Sequence, residues 1–249
     1  MACKLSVNLN AVGMLRNRRD LPWPNMVDLG RIALAAGAHG LTVHPRPDER
    51  HTRFSDVPKL RALLDDEFPD REFNIEGYPG EEFLDMVCRI RPTQCTLVPD
   101  APRQLTSDHG WDVKPNLPLL KASVAQLKNA GIRTSLFADA DLDVVAEMTQ
   151  TGTDRLELYT EDYAMCYDSE AENRAWDDYR RTALRATDAG LGVNAGHDLN
   201  LENLPRFLEI PDVLEVSIGH ALVVECLQQG IDKVVSRYLE ICAGNPQAK

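Results

Sequence analysis

A (β/α)8 barrel, eight parallel strands each followed by a helix, is the architecture this sequence predicts. Three observations predict it. Short runs rich in Val, Ile, Leu and Thr recur eight times, a stretch with helical periodicity follows each run, and four of those stretches close on a glycine just before the next run. Such barrels typically take about 250 residues. The 249 residues are therefore expected to form one α/β TIM-barrel domain, 1–249, with a few extra helices.

The strand candidates in chain order are LSVNLNAV, GLTVHP, EFNIEG, QCTLVPD, RTSLFAD, RLELYTE, GVNAGHD and LEVSIGH. After the first comes a long βα loop from Arg16 to Asn25, RNRRDLPWPN, and loops of that length in a compact domain tend to be functional. Met26, Leu29, Ala33 and Ala36 then mark one helical face, and Leu120, Val124 and Leu127 mark another further on. Gly37, Gly131, Gly152 and Gly190 each stand where a helix must end and the chain turn into a strand, a position that favours a left-handed backbone. This cadence is that of repeated βαβ units. No GxGxxG or GxxxxGK loop follows the first strand, which favours a closed barrel over an open doubly wound sheet.

Hydrophobic residues make up 43% of the chain and charged residues 27%, a composition that builds a core and argues against disorder. Lys and Arg number 27 against 39 Asp and Glu, a net charge of −12, so the surface repels nucleic acid and anionic membranes. An anionic small molecule would need a local cluster of Arg, His and backbone N–H groups to bind. The start, MACKLSVNLNAV, lacks the apolar core of a signal peptide, and no run approaches the roughly 18 apolar residues of a membrane span. A cytoplasmic location is expected. Six cysteines, Cys3, Cys88, Cys95, Cys166, Cys226 and Cys242, form no CxxC or zinc-like spacing and are expected to be reduced and mostly buried.

Barrel strands deliver functional residues at their C-terminal ends. Of the six histidines only His39 precedes its strand; His44, His51, His109, His197 and His220 fall at strand ends or in the loops beyond. Asn8, Asn10, Glu76, Asp139, Glu157, Thr160 and Asn194 fall in or at the ends of the same strands. A lone strand-end histidine is more often structural than catalytic, so the concentration carries the argument. Glu76 ends an otherwise apolar strand, where a carboxylate needs a partner or a shifted pKa, as a general acid/base does. Neither HxH nor HExxH occurs and the His and carboxylates are spread over several strands, so no metal is expected. HPRPDERH brings His44, Arg46, Arg50 and His51 together, and Arg16, Arg18 and Arg19 cluster after the first strand; both suit phosphate, although solvated loop charge accounts for such arginines about as well. AGHDLN and IGHALV bring glycines to the start of the last two helices, a common phosphate site in barrels.

The strings SVNLNAVGMLRN, GLTVHPRPDERH, FNIEG, TLVPD with TSDHGWD, VNAGHDLN and VSIGHA, in this order, resemble the strand-end motifs of the pyridoxine 5′-phosphate synthase family over Leu5 to about Leu239. The resemblance implies condensation of 3-amino-2-oxopropyl phosphate with 1-deoxy-D-xylulose 5-phosphate to pyridoxine 5′-phosphate, phosphate and water, with no cofactor and no metal. It implies His44 and Glu76 as proton acceptors and His197 as proton donor. Asn8 is implied to hold the amino-ketone phosphate, and Arg19, Arg46, His51 and Thr106 the deoxyxylulose phosphate, with Asp198, Gly219 and His220 at the phosphate-binding end. It also implies a homo-octamer. The chain departs from the better-known pattern at Asn10 and Ala11, where Asp and His are usual, at Glu161 and at Asp198, where Gly is usual. The chemistry suits the residues on its own terms: Schiff-base formation, dehydration, phosphate elimination and ring closure need repeated proton transfers, which two imidazoles and a carboxylate supply. The competing expectations are another phosphosugar barrel, an epimerase or an aldolase with a strand-end lysine, and a non-catalytic protein that binds pyridoxine 5′-phosphate.

Overall fold

The computed structural model describes residues 2–19, 21–100, 104 and 107–244. The chain runs β1 (Lys4–Asn8), α1 (Asn10–Arg16), α2 (Met26–Ala35), β2 (Gly40–Val43), α3 (Val57–Glu67), β3 (Glu72–Gly77), α4 (Glu81–Ile90), β4 (Gln94–Leu97), α5 (Val113–Asn129) and β5 (Arg133–Ala138). It continues α6 (Leu142–Thr149), β6 (Arg155–Tyr159), α7 (Glu161–Cys166), α8 (Glu172–Asp188), β7 (Gly192–Gly196), α9 (Leu204–Phe207), β8 (Val213–Ile218), α10 (His220–Gln229) and α11 (Ile231–Cys242). All neighbouring strands pair parallel, and β1 pairs with both β2 and β8, so the sheet closes into the expected eight-stranded barrel.

Each of the eight expected strands is present, and most end a few residues short of the expected run, as GLTVHP does at Val43 and QCTLVPD at Leu97. LSVNLNAV stops being a strand at Asn8, because the Asn8 Oδ1 accepts the backbone N–H of Asn10 at 2.9 Å and turns the chain into α1. The four glycines expected at helix ends do take positive φ, from +78° at Gly131 and Gly152 to +111° at Gly37.

Strand alternation sends Leu5, Val7, Leu41, Val43, Phe73, Ile75, Leu156 and Leu158, all buried, toward the helices. The opposite set fills the barrel, and it is polar. Ser6 and Thr42 share a hydrogen bond of 2.7 Å, Asn74 donates to Thr42 at 3.4 Å, and Thr96 donates to Asn74 at 3.1 Å and across the barrel to Glu157 at 3.2 Å. Barrel interiors are commonly packed with branched apolar side chains; here a hydrogen-bonded column takes their place. Its lower end is a ring of charge: Glu72 pairs with Lys4 and Arg133, and Glu215 lies 3.4 Å from Arg155 and 3.8 Å from Arg133.

Candidate active site

At the C-terminal ends of the strands the polar column opens into a cavity of about 380 Å³. Its lining includes Asn8 from the end of β1, His44 from just beyond β2, Glu76 from β3, Tyr159 from β6, His197 from just beyond β7 and Gly219 from just beyond β8. A wider cavity of about 970 Å³ lies alongside, faced by Tyr78, Phe83 and Trp111, and shares His44 and Arg46 with the first. His44, Glu76 and His197 meet in the smaller one.

Glu76 is 6% exposed and accepts a long hydrogen bond of 3.4 Å from Asn8 Nδ2. Burial pushes its carboxyl well above the usual range, and the negative charges of Glu157 and Asp100 push the same way. A carboxyl held against ionisation in this way binds a proton more tightly than an ordinary carboxylate does, which suits a proton acceptor. Below it, Glu157 is 1% exposed and is pushed up to about 8, first by burial and then by Glu215. Glu157 fell among the polar strand residues of the sequence without a role; it lies in the polar column, bonded to Thr96, and its charge opposes ionisation of Glu76.

The two imidazoles sit in opposite electrostatic surroundings. Burial holds His44 well below its ordinary value, and the positive charges facing it, His51, Arg46, His197 and Arg50, reinforce the neutral form. His51 packs 5.6 Å from it between ring centroids and is itself lowered to about 4, chiefly by burial. Thr52 N–H donates to His51 Nδ1 at 2.9 Å, which fixes that nitrogen as an acceptor and the neutral tautomer with it. His197 is lowered by burial too, but its charged neighbours Asp198, Asp100 and Glu161 all oppose the shift. His44 is thus held neutral more firmly than His197, which is the easier of the two to protonate. The His197 backbone has a φ of +77°, followed by Asp198 at +55°, and this turn re-aims the imidazole toward the barrel axis instead of continuing β7.

The other expected site residues divide. Arg46 is buried against Asp100 at 3.2 Å and lines both cavities. His51, Asp198, Gly219 and His220 line the smaller cavity. Gly219 precedes α10, whose first backbone N–H groups, starting at His220, provide anion-binding donors. A side chain at Gly219 would press on Asn8, at 3.2 Å from its Cβ. Arg19 is exposed in the loop after α1 and lines neither cavity. Its neighbour Arg16 is structural: it is buried, with NH1 reaching both oxygens of Asp56 at 2.7 and 2.8 Å. Thr106 lies outside the described residues. Sequence reasoning missed Asp100, Tyr159 and Ser107, all three buried beside the cavities, because an acid, a phenol and a hydroxyl near strand ends carry no motif of their own.

Comparison with known proteins places the whole chain in a family. Residues 5–244 match the family described as pyridoxal phosphate biosynthesis protein PdxJ. A pyridoxine 5′-phosphate synthase of Chelativorans sp. (strain BNC1) is 59% identical over 97% of this chain and 99% of its own. One from Mesorhizobium japonicum is 56% identical over 97% and 99%, and one from Brucella abortus (strain S19) 56% identical over 98% and 100%. Among solved structures, thiamine phosphate pyrophosphorylase from Pyrococcus furiosus superimposes with a TM-score of 0.63 at 15% identity, covering 98% of this chain and 96% of that one. The YdjI aldolase from Escherichia coli K12 gives 0.64 at 10%, covering 100% and 94%. At such identities these two share the barrel with this chain and nothing further. The full-length match is of another order, and by it the chain belongs to the PdxJ family of pyridoxal phosphate biosynthesis proteins.

Proposed function

We propose that this chain is a pyridoxine 5′-phosphate synthase, which joins 3-amino-2-oxopropyl phosphate to 1-deoxy-D-xylulose 5-phosphate and releases phosphate and water. The observation that carries the chemistry is one cavity lined by a neutral imidazole among cations, a second imidazole among carboxylates and a carboxyl raised by burial. The substrate amine is the nucleophile. His44 and Glu76 take protons as the imine forms and the ring carbons lose theirs, and His197 returns a proton to each departing oxygen. Asn8, Gly219, His220 and Asp198 lie about one phosphate, and Arg46 and His51, with Arg19 and Thr106, serve the other. The two phosphates bring negative charge that raises both imidazoles, and His197, already faced by three carboxylates, is protonated first. No lysine lines the smaller cavity among the described residues, which disfavours a Schiff-base aldolase.

The test is a two-substrate reaction with purified protein and no added cofactor or metal. Pyridoxine 5′-phosphate and inorganic phosphate should appear in equal amounts; absence of both sinks the assignment. Residues 1–249 are further proposed to fold as one domain, to act in the cytoplasm and to assemble as a homo-octamer. No helix among the described residues is long and apolar enough to cross a membrane. Met14 and Leu15 on α1 and Val224 and Leu227 on α10, helices that pack together, are exposed and suit contact with another copy. Sedimentation should give eight chains, and Leu227→Lys should lower that number.

A further inference from the structure

Two residues that no step above uses stand against the proposed proton donor. Tyr159 is the last residue of β6 and Glu161 the first of α7, so both stand at the barrel mouth and both line the smaller cavity. The Tyr159 hydroxyl donates to the Glu161 carboxylate. The Tyr159 ring meets the His197 ring edge-on, 5.2 Å between centroids at 68°, and Phe137 of β5 meets it from another side at 5.3 Å and 66°. At these distances and angles each aromatic pair is in its favourable geometry. The backbone beneath is held as well: Thr160 Oγ1 donates to the carbonyls of Gly196 and His197, and Tyr179 donates to the carbonyl of Tyr159.

We propose that Tyr159 and Glu161 are positioning residues for His197: the Glu161 carboxylate pins the phenol, and the pinned ring fixes the tilt of the imidazole over the cavity. The inference rests on His197 being the proton donor. Without Glu161 the Tyr159 hydroxyl has no other side-chain hydrogen-bond partner among the described residues, and its ring is then held only by edge contacts with Phe137 and with the imidazole it is to orient. Glu161 also contributes charge. The charged and titratable groups facing His197 are Glu161 from α7, Asp198 from its own turn, Asp100 from beyond β4 and His44 from beyond β2. Removing the negative charge at 161 makes the imidazolium harder to form, and so lowers the fraction of His197 that carries a proton to donate.

Glu161→Gln removes the charge and keeps an acceptor for the phenol, whereas Tyr159→Phe keeps the ring and removes the pin. The direct readout is titration of the His197 ring by nuclear magnetic resonance on the full chain with labelled histidine, the signal assigned by its loss in His197→Asn. Glu161→Gln should lower the midpoint by about half a pH unit. In the synthase assay the same variant should move the limb of kcat that reports the acid to lower pH. Tyr159→Phe should cut kcat about fivefold with KM within about twofold, the signature of lost orientation with binding retained. An unchanged midpoint in Glu161→Gln together with a wild-type kcat in Tyr159→Phe overturns the inference. If the unsubstituted protein makes no product, the synthase assignment fails, while the resonance midpoint and the ring-current shift of His197 in Tyr159→Phe still decide the pair.

Discussion

Both ends of the barrel carry buried ionisable side chains, and they treat them in opposite ways. At the lower end Lys4, Glu72, Arg133, Arg155 and Glu215 are matched in ion pairs, and Gln94 and Asn194 tie them together at 2.9 to 3.4 Å. At the mouth Glu76 has, among the described residues, one long hydrogen bond and no ion-pair partner, and His44 faces cations instead of carboxylates. Satisfied charge stabilises a structure; charge held against its preference is available to move protons. Substitutions at the two ends should therefore separate activity from stability.

The largest effect is expected at the mouth. Glu76→Gln and His44→Ala should each lower kcat by roughly 100-fold, about 2.7 kcal/mol of barrel-mouth catalysis. Thermal unfolding of Glu76→Gln should match or exceed that of the parent above neutral pH, because the amide cannot ionise in the buried site. Steady-state kinetics beside a melting curve check both, and a Tm that falls with kcat would mean that Glu76 is structural.

That division was only half legible in the chain. The mouth announced itself because His44, Glu76 and His197 interrupt apolar strands just where βαβ units deliver function. The lower ring did not, since Lys4, Glu72, Arg133 and Arg155 each begin a strand and a charge there looks solvated; only closure of the barrel brings four strands' first residues within reach. Helix-ending glycines located the strands because φ above +70° is open to little else. The arginines after the first strand could not be told apart: they look alike in sequence, whereas Arg16 is buried against Asp56 and Arg19 is exposed.

At the lower end Arg155→Met should lose about 2 kcal/mol of stability at neutral pH and leave kcat unchanged. Glu215, 3% exposed, would keep the neutral Gln94 and, as its ion-pair partner among the described residues, the more distant Arg133. Burial already raises Glu215 above its ordinary value. A group raised on folding contributes most below its unfolded pKa and loses that contribution as pH climbs, so the deficit should shrink as pH is lowered toward 5. Denaturant titrations at two pH values test it; an equal deficit at both would take Glu215 out of the explanation.

Glu157 lies between the two ends and should show the character of each. Its carboxyl rises from 4.5 to about 8 on folding, so its contribution is fully present below 4.5 and is lost as pH rises through 8. Glu157→Gln escapes that loss. Its Tm should exceed the parent's by about 3 °C at pH 9 and by less at pH 5. Glu76 at the same time loses a negative neighbour, so the kinetic limb that it controls should move to lower pH. A melting advantage independent of pH would show that the gain has nothing to do with ionisation.

The smallest effect sharpens the comparison through the backbone. At the lower end, Arg91 closes α4 in the left-handed conformation with φ of +51°, at a place where four other helix ends use glycine. At the mouth, His197 adopts φ of +77°. The side chain at Arg91 adds strain and no catalytic contact, whereas the strain at His197 is what aims the imidazole. Arg91→Gly should therefore stabilise the protein by about 0.5 to 1 kcal/mol at unchanged kcat, and His197→Gly should relieve comparable strain while abolishing proton donation. Melting and turnover of this pair give the answer: equal kinetic losses in both variants would mean that left-handed backbone is used the same way at both ends, and the distinction between them would fall.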